Sequence, residues 1–418
     1  MPKLYGWTPP TRPAWVEHLN AMGEALGDAD ALIPIHAEEM IASACASTGL
    51  SDFGPPSWRA HYDVLVKSIQ TEARLTPAGR LLTRSELMRS LRNRLFVEEY
   101  LGTHPEALET PVTAPIVVCG YGRSGTSITH ELLALDPALR APMAWELFNV
   151  SPLQDAVGAR RQDRIRYANG EQLYYEDVVP EFKTMHENGA ELPVECLMFQ
   201  MHEFLSAQYF GTLDVPSYMM HTMAADRTSA YEYEYRMLQV MQHQRPGTRW
   251  VLKGPTHQER LEVLFSVFPD ASVVHLHRDP RKMIPSSYSL MGTLRFMRSD
   301  HVDLSALEFM PMSMQMTFDK GMQQRADGTV PTKQICDLLY ADLVRDPAEA
   351  LSRCYAKLAL PFSNERAGAI TRYLEEKPKG KHGAHEYTPE EFGLDGGALG
   401  AMFSRYQAHY GVPDEVTS

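Results

Sequence analysis

Cysteine is scarce in this chain. There are five, at positions 45, 119, 196, 336 and 354, odd in number, widely spaced and never arranged as C-x-x-C. A zinc ribbon or a disulfide framework is thereby disfavoured, and a reducing cytoplasm is the expected compartment. Positive charge is also short: 40 Lys and Arg stand against 53 Asp and Glu, a formal net charge of −13. That balance works against broad electrostatic binding to nucleic acid or to an anionic membrane. An anionic ligand therefore needs a local cluster of Arg and Lys acting against the global field. Long apolar runs are missing too. No stretch approaches the roughly 18 apolar residues of a spanning helix, and "MPKLYGWTPPTRPAW" has no core resembling a signal peptide. There is no internal repeat or low-complexity tract, and nothing that speaks to oligomeric state.

What is present is ordinary for a soluble globular protein: 44% hydrophobic and 22% charged residues, enough to build a sizeable core. At 418 residues the chain suits one large domain with additions, or two to three units of roughly 150 residues each. Residues 1–110 read as a helical N-terminal region. "WVEHLNAMGEALG", "AEEMIASACAST", "WRAHYDVLVKSIQTEARL" and "TRSELMRSLRNRLFVEEYL" carry apolar residues at three- and four-residue spacing, with Thr83 placed to cap the last of them. After a turn-rich connector the pattern changes. Residues 111–418 read as an α/β domain. "PIVVC" (115–119) is a continuous β-branched run, as in a strand buried on both faces, and "TSITHELLALDP" continues as a helix. Strand "WVLK", a helix over 257–267, strand "SVVHLH", a helix from Pro280, and a strand over 334–340 followed by a helix form a βαβ-like series with a parallel sheet. "EKPKGKHGAHEYTPEEFGLDGG" reads as an extended loop.

Between the first strand and its helix lies "GYGRSGTS" (120–127). Gly120 and Gly125 are spaced as in a phosphate loop, yet Thr126 and Ser127 follow where Lys-Ser is expected. The cation is Arg123, inside the turn, and no acidic residue ending an apolar strand offers a second magnesium ligand. A strand, a glycine-rich turn and a helix place an anion at a helix N-terminus, so the loop suits a terminal phosphate-like group with no required metal. Ser124 is not the nucleophile of a G-x-S-x-G elbow, because Thr126 stands where the second glycine belongs.

Together these segments resemble the sulfotransferases that use 3′-phosphoadenosine 5′-phosphosulfate (PAPS). "GYGRSGTS" is similar to their 5′-phosphosulfate loop. "HLHRDPRKMIPSSYSL" is similar to their 3′-phosphate motif, with Arg278 and, eight residues on, Ser286. "WVLKGPTH…FPDASVV" and "LLYADLVRDP" occur in the family's order, and "PKGKHG" resembles its late basic loop, with proline replacing the first basic residue. The resemblance covers about residues 112–395. It implies a P-loop-like, three-layer α/β fold with a central parallel sheet and a PAPS-binding loop near 377–383. The helical region before it suggests a bacterial-type branch.

The resemblance implies roles for individual residues. PAPS needs two anion sites. Gly122, Arg123, Ser124, Gly125, Thr126 and Ser127 would form the first; Arg278, Ser286 and the Lys379–Gly380–Lys381 loop would form the second, arginine forks being suited to phosphate oxygens. Lys253, at the end of "WVLK", would stand with Arg123 at the oxygen that leaves. For the acceptor's base there are two candidates, Glu146 in "APMAWEL" and His257 in "KGPTH". His275 and His277 alternate on one strand but lack an evident third ligand, so no metal is assigned; the role of His130 is open. The methionine- and aromatic-rich "CLMFQMHEFLSAQYFGTLDVPSYMMHTM" and "LEFMPMSMQMTF" suit an apolar or phenolic small-molecule acceptor or plain helical core. Two other readings stand beside this one: a nucleotide-dependent kinase-like enzyme, and a non-catalytic nucleotide-binding protein.

Overall fold

The computed structural model describes residues 7–151, 160–247, 249–377 and 388–415. Five parallel strands form one sheet in the order β2-β3-β1-β4-β5. They are β1 (Ile116–Cys119), β2 (Leu139–Arg140), β3 (Arg249–Lys253), β4 (Ser272–His277) and β5 (Ile335–Leu339). The β-branched runs are buried on both faces, as their lack of alternation required.

Strand periodicity separates the two faces. Val117 and Cys119 of β1, Leu252 of β3 and Val273 of β4 face one core, which also holds Tyr62, Leu91 and Leu95 from the N-terminal helices and Phe199 and Leu238 from the middle of the chain. Ile116, Val118, Val251, Val274 and Leu276 face the other, against Leu132, Leu351, Cys354 and Ile370. Helices thus cover both sides of the sheet, giving three layers. The helices of the first 110 residues share a continuous core with the sheet.

The N-terminal helices are Ala14–Ala25, Ala37–Thr48, Trp58–Thr71 and Pro77–Thr103, with a single turn over Ala29–Leu32. The last is longer than the sequence suggests. Thr83 lies within it, and the cap is Thr76, whose hydroxyl accepts from the Gly79 N–H at 3.1 Å while Pro77 takes the first helical position. Thr76→Ala should cost about 1 kcal/mol, seen as a lower urea midpoint at unchanged m-value. Thr83→Val should leave that midpoint unmoved or raise it, since the buried Thr83 hydroxyl has no partner.

Two other boundaries differ from expectation. The helix expected over 257–267 begins as a 3-10 turn over Pro255–Arg260 and turns α-helical only over Leu261–Val267. Gly254 N–H is tied across to the Val118 carbonyl and His257 N–H returns to the Gly254 carbonyl, which tightens that turn. In the tail, a helix runs over Gly396–Tyr410 where part of an extended loop was expected. Asp395 caps it through the Ala398 N–H, and Leu399, Phe403 and Tyr406 bury its inner face with Phe318, which outweighs the paired glycines at its start.

Candidate active site

β1 is the middle strand, and the ligand crevice of an open parallel sheet lies beyond the carboxyl ends of its strands. Three cationic side chains converge there because three neighbouring strands end there. Arg123 follows β1, Lys253 ends β3, and Arg278 follows β4.

The turn after β1 demands its glycines. Gly120 has φ +142°, and a Cβ there would stand 2.7 Å from the Leu276 carbonyl; Gly125 has φ +96°, and its Cβ would stand 2.8 Å from the Tyr340 ring. Arg123 also has a positive φ, +71°, a conformation costing a non-glycine residue about 1–3 kcal/mol. Its neighbours hold it there. Arg278 Nη1 donates to the Arg123 carbonyl at 2.8 Å, while Arg123 donates from Nε to Ser286 Oγ and from Nη1 to the Met185 carbonyl, both at 2.9 Å. The structure therefore brings the glycine loop, Arg278 and Ser286 into one hydrogen-bonded group. Ser124 is fully buried beside it with a hydroxyl that has no partner, and Thr126 and Ser127 open the Thr126–Ala134 helix. A helix start leaves its first-turn N–H groups without partners inside the helix, a setting that favours an anion.

Arg278 is anchored on its far side as well. Its Nε and Nη2 fork onto the carboxylate of Glu415 at 3.0–3.2 Å, and its guanidinium lies 4.0 Å from the centre of the Tyr340 ring. A carboxylate thus occupies the fork that a phosphate would take.

Lys253 is buried, and its Nζ donates to Ser127 Oγ at 3.2 Å and to the carboxylate of Glu195. Burial pushes the Glu195 carboxyl up, but the charges of Lys253 and His186 outweigh it and hold the group below the ordinary carboxylate value. His186, half-buried and bonded through Nδ1 to Asn188 Oδ1 at 3.1 Å, is itself shifted down by burial, against the pull of Glu195. His130 donates from Nε2 to the Val251 carbonyl at 3.0 Å, and burial holds it down to about 3, so it is a neutral positioning group under β3. Lysine, serine hydroxyl, carboxylate and imidazole therefore meet at the mouth of the loop.

The two base candidates taken from the sequence lie in other surroundings. Glu146 is buried, accepts from Arg140 Nη2 at 2.9 Å, Arg245 Nη1 at 3.4 Å and the Met143 N–H at 3.3 Å, and has no bond to the loop among the described residues. His257 is buried with Nδ1 2.8 Å from the Tyr231 hydroxyl; burial holds it down to about 3. His275 and His277 do have a third neighbour, Asp337. Arg325 is bonded to both Asp337 oxygens and to His275 Nδ1, while Gln258 takes His275 Nε2, Tyr406 takes His277 Nδ1 and Asp337 takes His277 Nε2. Lys379, Gly380 and Lys381 lie outside the described residues. Of the methionines offered for an acceptor pocket, Met198, Met201, Met219 and Met314 are core, while Met220, Met312 and Met316 are exposed.

With that geometry in hand, comparison with known proteins is decisive. The model of the Sulfotransferase family matches residues 115–364, more than half of the chain. The chain belongs to the sulfotransferase family. This sulfotransferase is 24% identical over 299 residues to the omega-hydroxy-beta-dihydromenaquinone-9 sulfotransferase Stf3 of Mycobacterium bovis and of Mycobacterium tuberculosis, covering 70% of this chain and 74% of theirs. Its fold is similar to crystal structures of sulfotransferase STF9 from Mycobacterium avium (28% identity, 91% of this chain and 97% of that one, TM-score 0.79) and STF1 from Mycobacterium tuberculosis (26%, 88% and 98%, TM-score 0.73). The helical N-terminal residues fall outside the family match but largely inside these structural ones. Among the described residues no helix is long and apolar enough to cross a membrane.

Three residues of the site were not found in the sequence. Glu195 stands one residue before the apolar run "CLMFQMH", His186 nine before that, and Glu415 at the far end of the chain. No fixed spacing ties any of them to the loop. The local cue was Glu195 alone, an acidic residue immediately before the apolar helix that starts at Cys196.

Proposed function

We propose that this sulfotransferase moves the sulfuryl group of PAPS to the hydroxyl of a small apolar or phenolic acceptor by in-line displacement. The observation that carries the reading is Lys253, in the middle of a chain that runs from a loop hydroxyl, Ser127, to a carboxylate, Glu195. Sulfuryl transfer resembles phosphoryl transfer in relying on positioning and charge stabilisation. Lys253 and Arg123 would stabilise charge on the departing phosphate oxygen. Glu195 would take the proton of the acceptor hydroxyl, a role its place beside the loop suits better than the arginine-saturated Glu146 or the enclosed His257.

The residues fit the co-substrate. The buried, unpartnered Ser124 hydroxyl and the first-turn N–H groups, with Arg123, Thr126 and Ser127, suit a 5′-phosphosulfate. Arg278 with Ser286 suits a 3′-phosphate, and the Glu415 carboxylate marks an anion-sized position on that fork. An apolar acceptor is supported by the Stf3 relatives, whose name gives a hydroxylated menaquinone as their substrate. The assay is transfer of radiolabelled sulfate from PAPS to a panel of long-chain alcohols, hydroquinones and phenols against sugars and amino sugars. Product on the apolar members supports the reading; product on sugars alone overturns its acceptor half.

Glu415 supplies a second test. If it competes for the 3′-phosphate position, Glu415→Gln removes the competing charge and should tighten 3′,5′-ADP binding by about three- to tenfold, the range of one exposed charge-assisted contact. Weaker binding measured by calorimetry would mean that Glu415 positions Arg278 instead of blocking it.

A further inference from the structure

Directly behind Lys253 the core holds three groups that are unusual there. Cys196 Sγ, a carboxylate oxygen of Glu234 and a ring nitrogen of His257 lie within 4.8 Å of one another, and all three residues are buried. They come from three separate segments: the start of the Cys196–Gln200 helix, the Thr228–Gln244 helix and the turn after β3. Among the described residues no cation pairs with Glu234; its Oε2 accepts from Gln200 Nε2 at 3.4 Å, and Oε1 has no partner. Burial pushes this carboxyl up to about 8, and the Cys196 thiol lies against it. His257 Nδ1 is taken by Tyr231, which leaves Nε2, also buried and without a partner, and the Gln200 amide oxygen is in the same condition. Three buried polar atoms without partners among the described residues are costly, and a buried carboxylate without a cation is usually neutralised by a proton or a metal.

We propose that Cys196, Glu234 and His257 bind a zinc ion that pins together the segments carrying Glu195 and Lys253. The ligand types suit zinc, which takes sulfur, imidazole nitrogen and carboxylate oxygen in tetrahedral array. Ligand atoms of such a site stand roughly 3.5 Å apart, so this set closes by about an ångström through side-chain rotation. Charge balances: thiolate and carboxylate bring two negative charges, the imidazole is neutral, and their sum with the dication is zero. Binding releases the thiol proton and, where it is held, the carboxyl proton to solvent. The Tyr231 hydroxyl then accepts from His257 Nδ1–H, the outer contact that orients a metal-bound imidazole. Gln200 Oε1 or a water completes the fourth position. The His275–His277–Asp337 group makes the contrast. Its nitrogens are satisfied and the Arg325 guanidinium is bonded to His275 and Asp337, so it has no place for a cation.

Position gives the ion its role. Cys196 adjoins Glu195, and His257 is four residues beyond Lys253, so the zinc holds the two partners of the lysine–carboxylate pair without touching substrate. The test is independent of the donor reading. The full chain, purified without chelator and dialysed, should hold about one zinc per chain by plasma mass spectrometry. Cobalt-exchanged protein should show a thiolate-to-cobalt charge-transfer band in the near ultraviolet. Cys196→Ser should abolish that band and Glu234→Gln should lower zinc content, while His275→Ala keeps both. Wild-type protein with less than about a tenth of an equivalent of zinc and no thiolate band with cobalt overturns the proposal, whether or not the variants fold. So does zinc retained in full by Cys196→Ser, or lost on His275→Ala.

Discussion

Lys253→Met should lower turnover about 10³-fold, close to the loss of one preorganised donor from an anionic transition state. Methionine keeps the stem buried and removes only the charge. The expected loss is in kcat, with a smaller change in KM for the donor, if the lysine acts as proposed on charge that develops as the bond to the bridging oxygen breaks. A stability effect has to be separated from this. Lys253 is buried and Glu195 is about a quarter exposed, so the variant leaves a carboxylate without its cation. The double variant Lys253→Met/Glu195→Gln removes that charge as well. It should regain thermal stability while turnover stays at the single variant's level or below. Recovery of turnover with stability would reduce Lys253 to a structural role.

Glu195→Gln should likewise cost about 10³-fold in kcat, within the range for a positioned base, with KM for the acceptor little changed. Glu146→Gln gives the contrast, since Glu146 becomes the base if its loss is the larger. The pH profile carries a sharper signature. In the free enzyme the Glu195 carboxyl is held below its ordinary value by Lys253 and His186 against burial. A depressed carboxylate adds stability above the unfolded-state value of about 4.3, and that stability is lost as pH falls through the folded-state value. Glu195→Gln should therefore lose part of the protein's acid-side stability dependence. If donor binding draws Lys253 off Glu195, as the proposed function implies, the hold on the carboxylate weakens. The acid limb of kcat should then lie at higher pH than the acid limb of kcat/KM, which reports the free enzyme. Coincident limbs would contradict this exchange of partners.

Much of the scaffold was legible because it follows from local rules. The β-branched run before Gly120, the turn that needs glycine at 120 and 125, and the helix start at Thr126 are set by residues within ten positions of one another. Arg278 and Ser286 were legible for the same reason, as a strand end and the helix that follows it. Their bonds to the Arg123 carbonyl and side chain join them to the glycine loop. Thr76 shows a limit of that reading: the apolar pattern placed the cap at Thr83, whereas Thr76, with Pro77 at the first helical position, starts the helix seven residues earlier. Glu195, His186 and Glu415 were illegible because their positions depend on packing across the sheet's end. A carboxylate 58 residues before Lys253 in sequence leaves no periodic trace. Glu146, by contrast, is tied by Arg140, six residues before it, into a buried ion pair.

The central claim, two anion sites shaped for PAPS, is tested most directly by thermal stabilisation with 3′,5′-ADP, the product PAPS leaves behind. At about a hundred times its dissociation constant a ligand adds roughly 2.7 kcal/mol to the folded state, a readable rise in Tm. In magnesium-free buffer 3′,5′-ADP should stabilise the protein, 5′-ADP should do so far less, and ATP with magnesium should add nothing beyond 5′-ADP. Stabilisation by ATP only when magnesium is present, or indifference to 3′,5′-ADP at saturating concentration, would contradict the account.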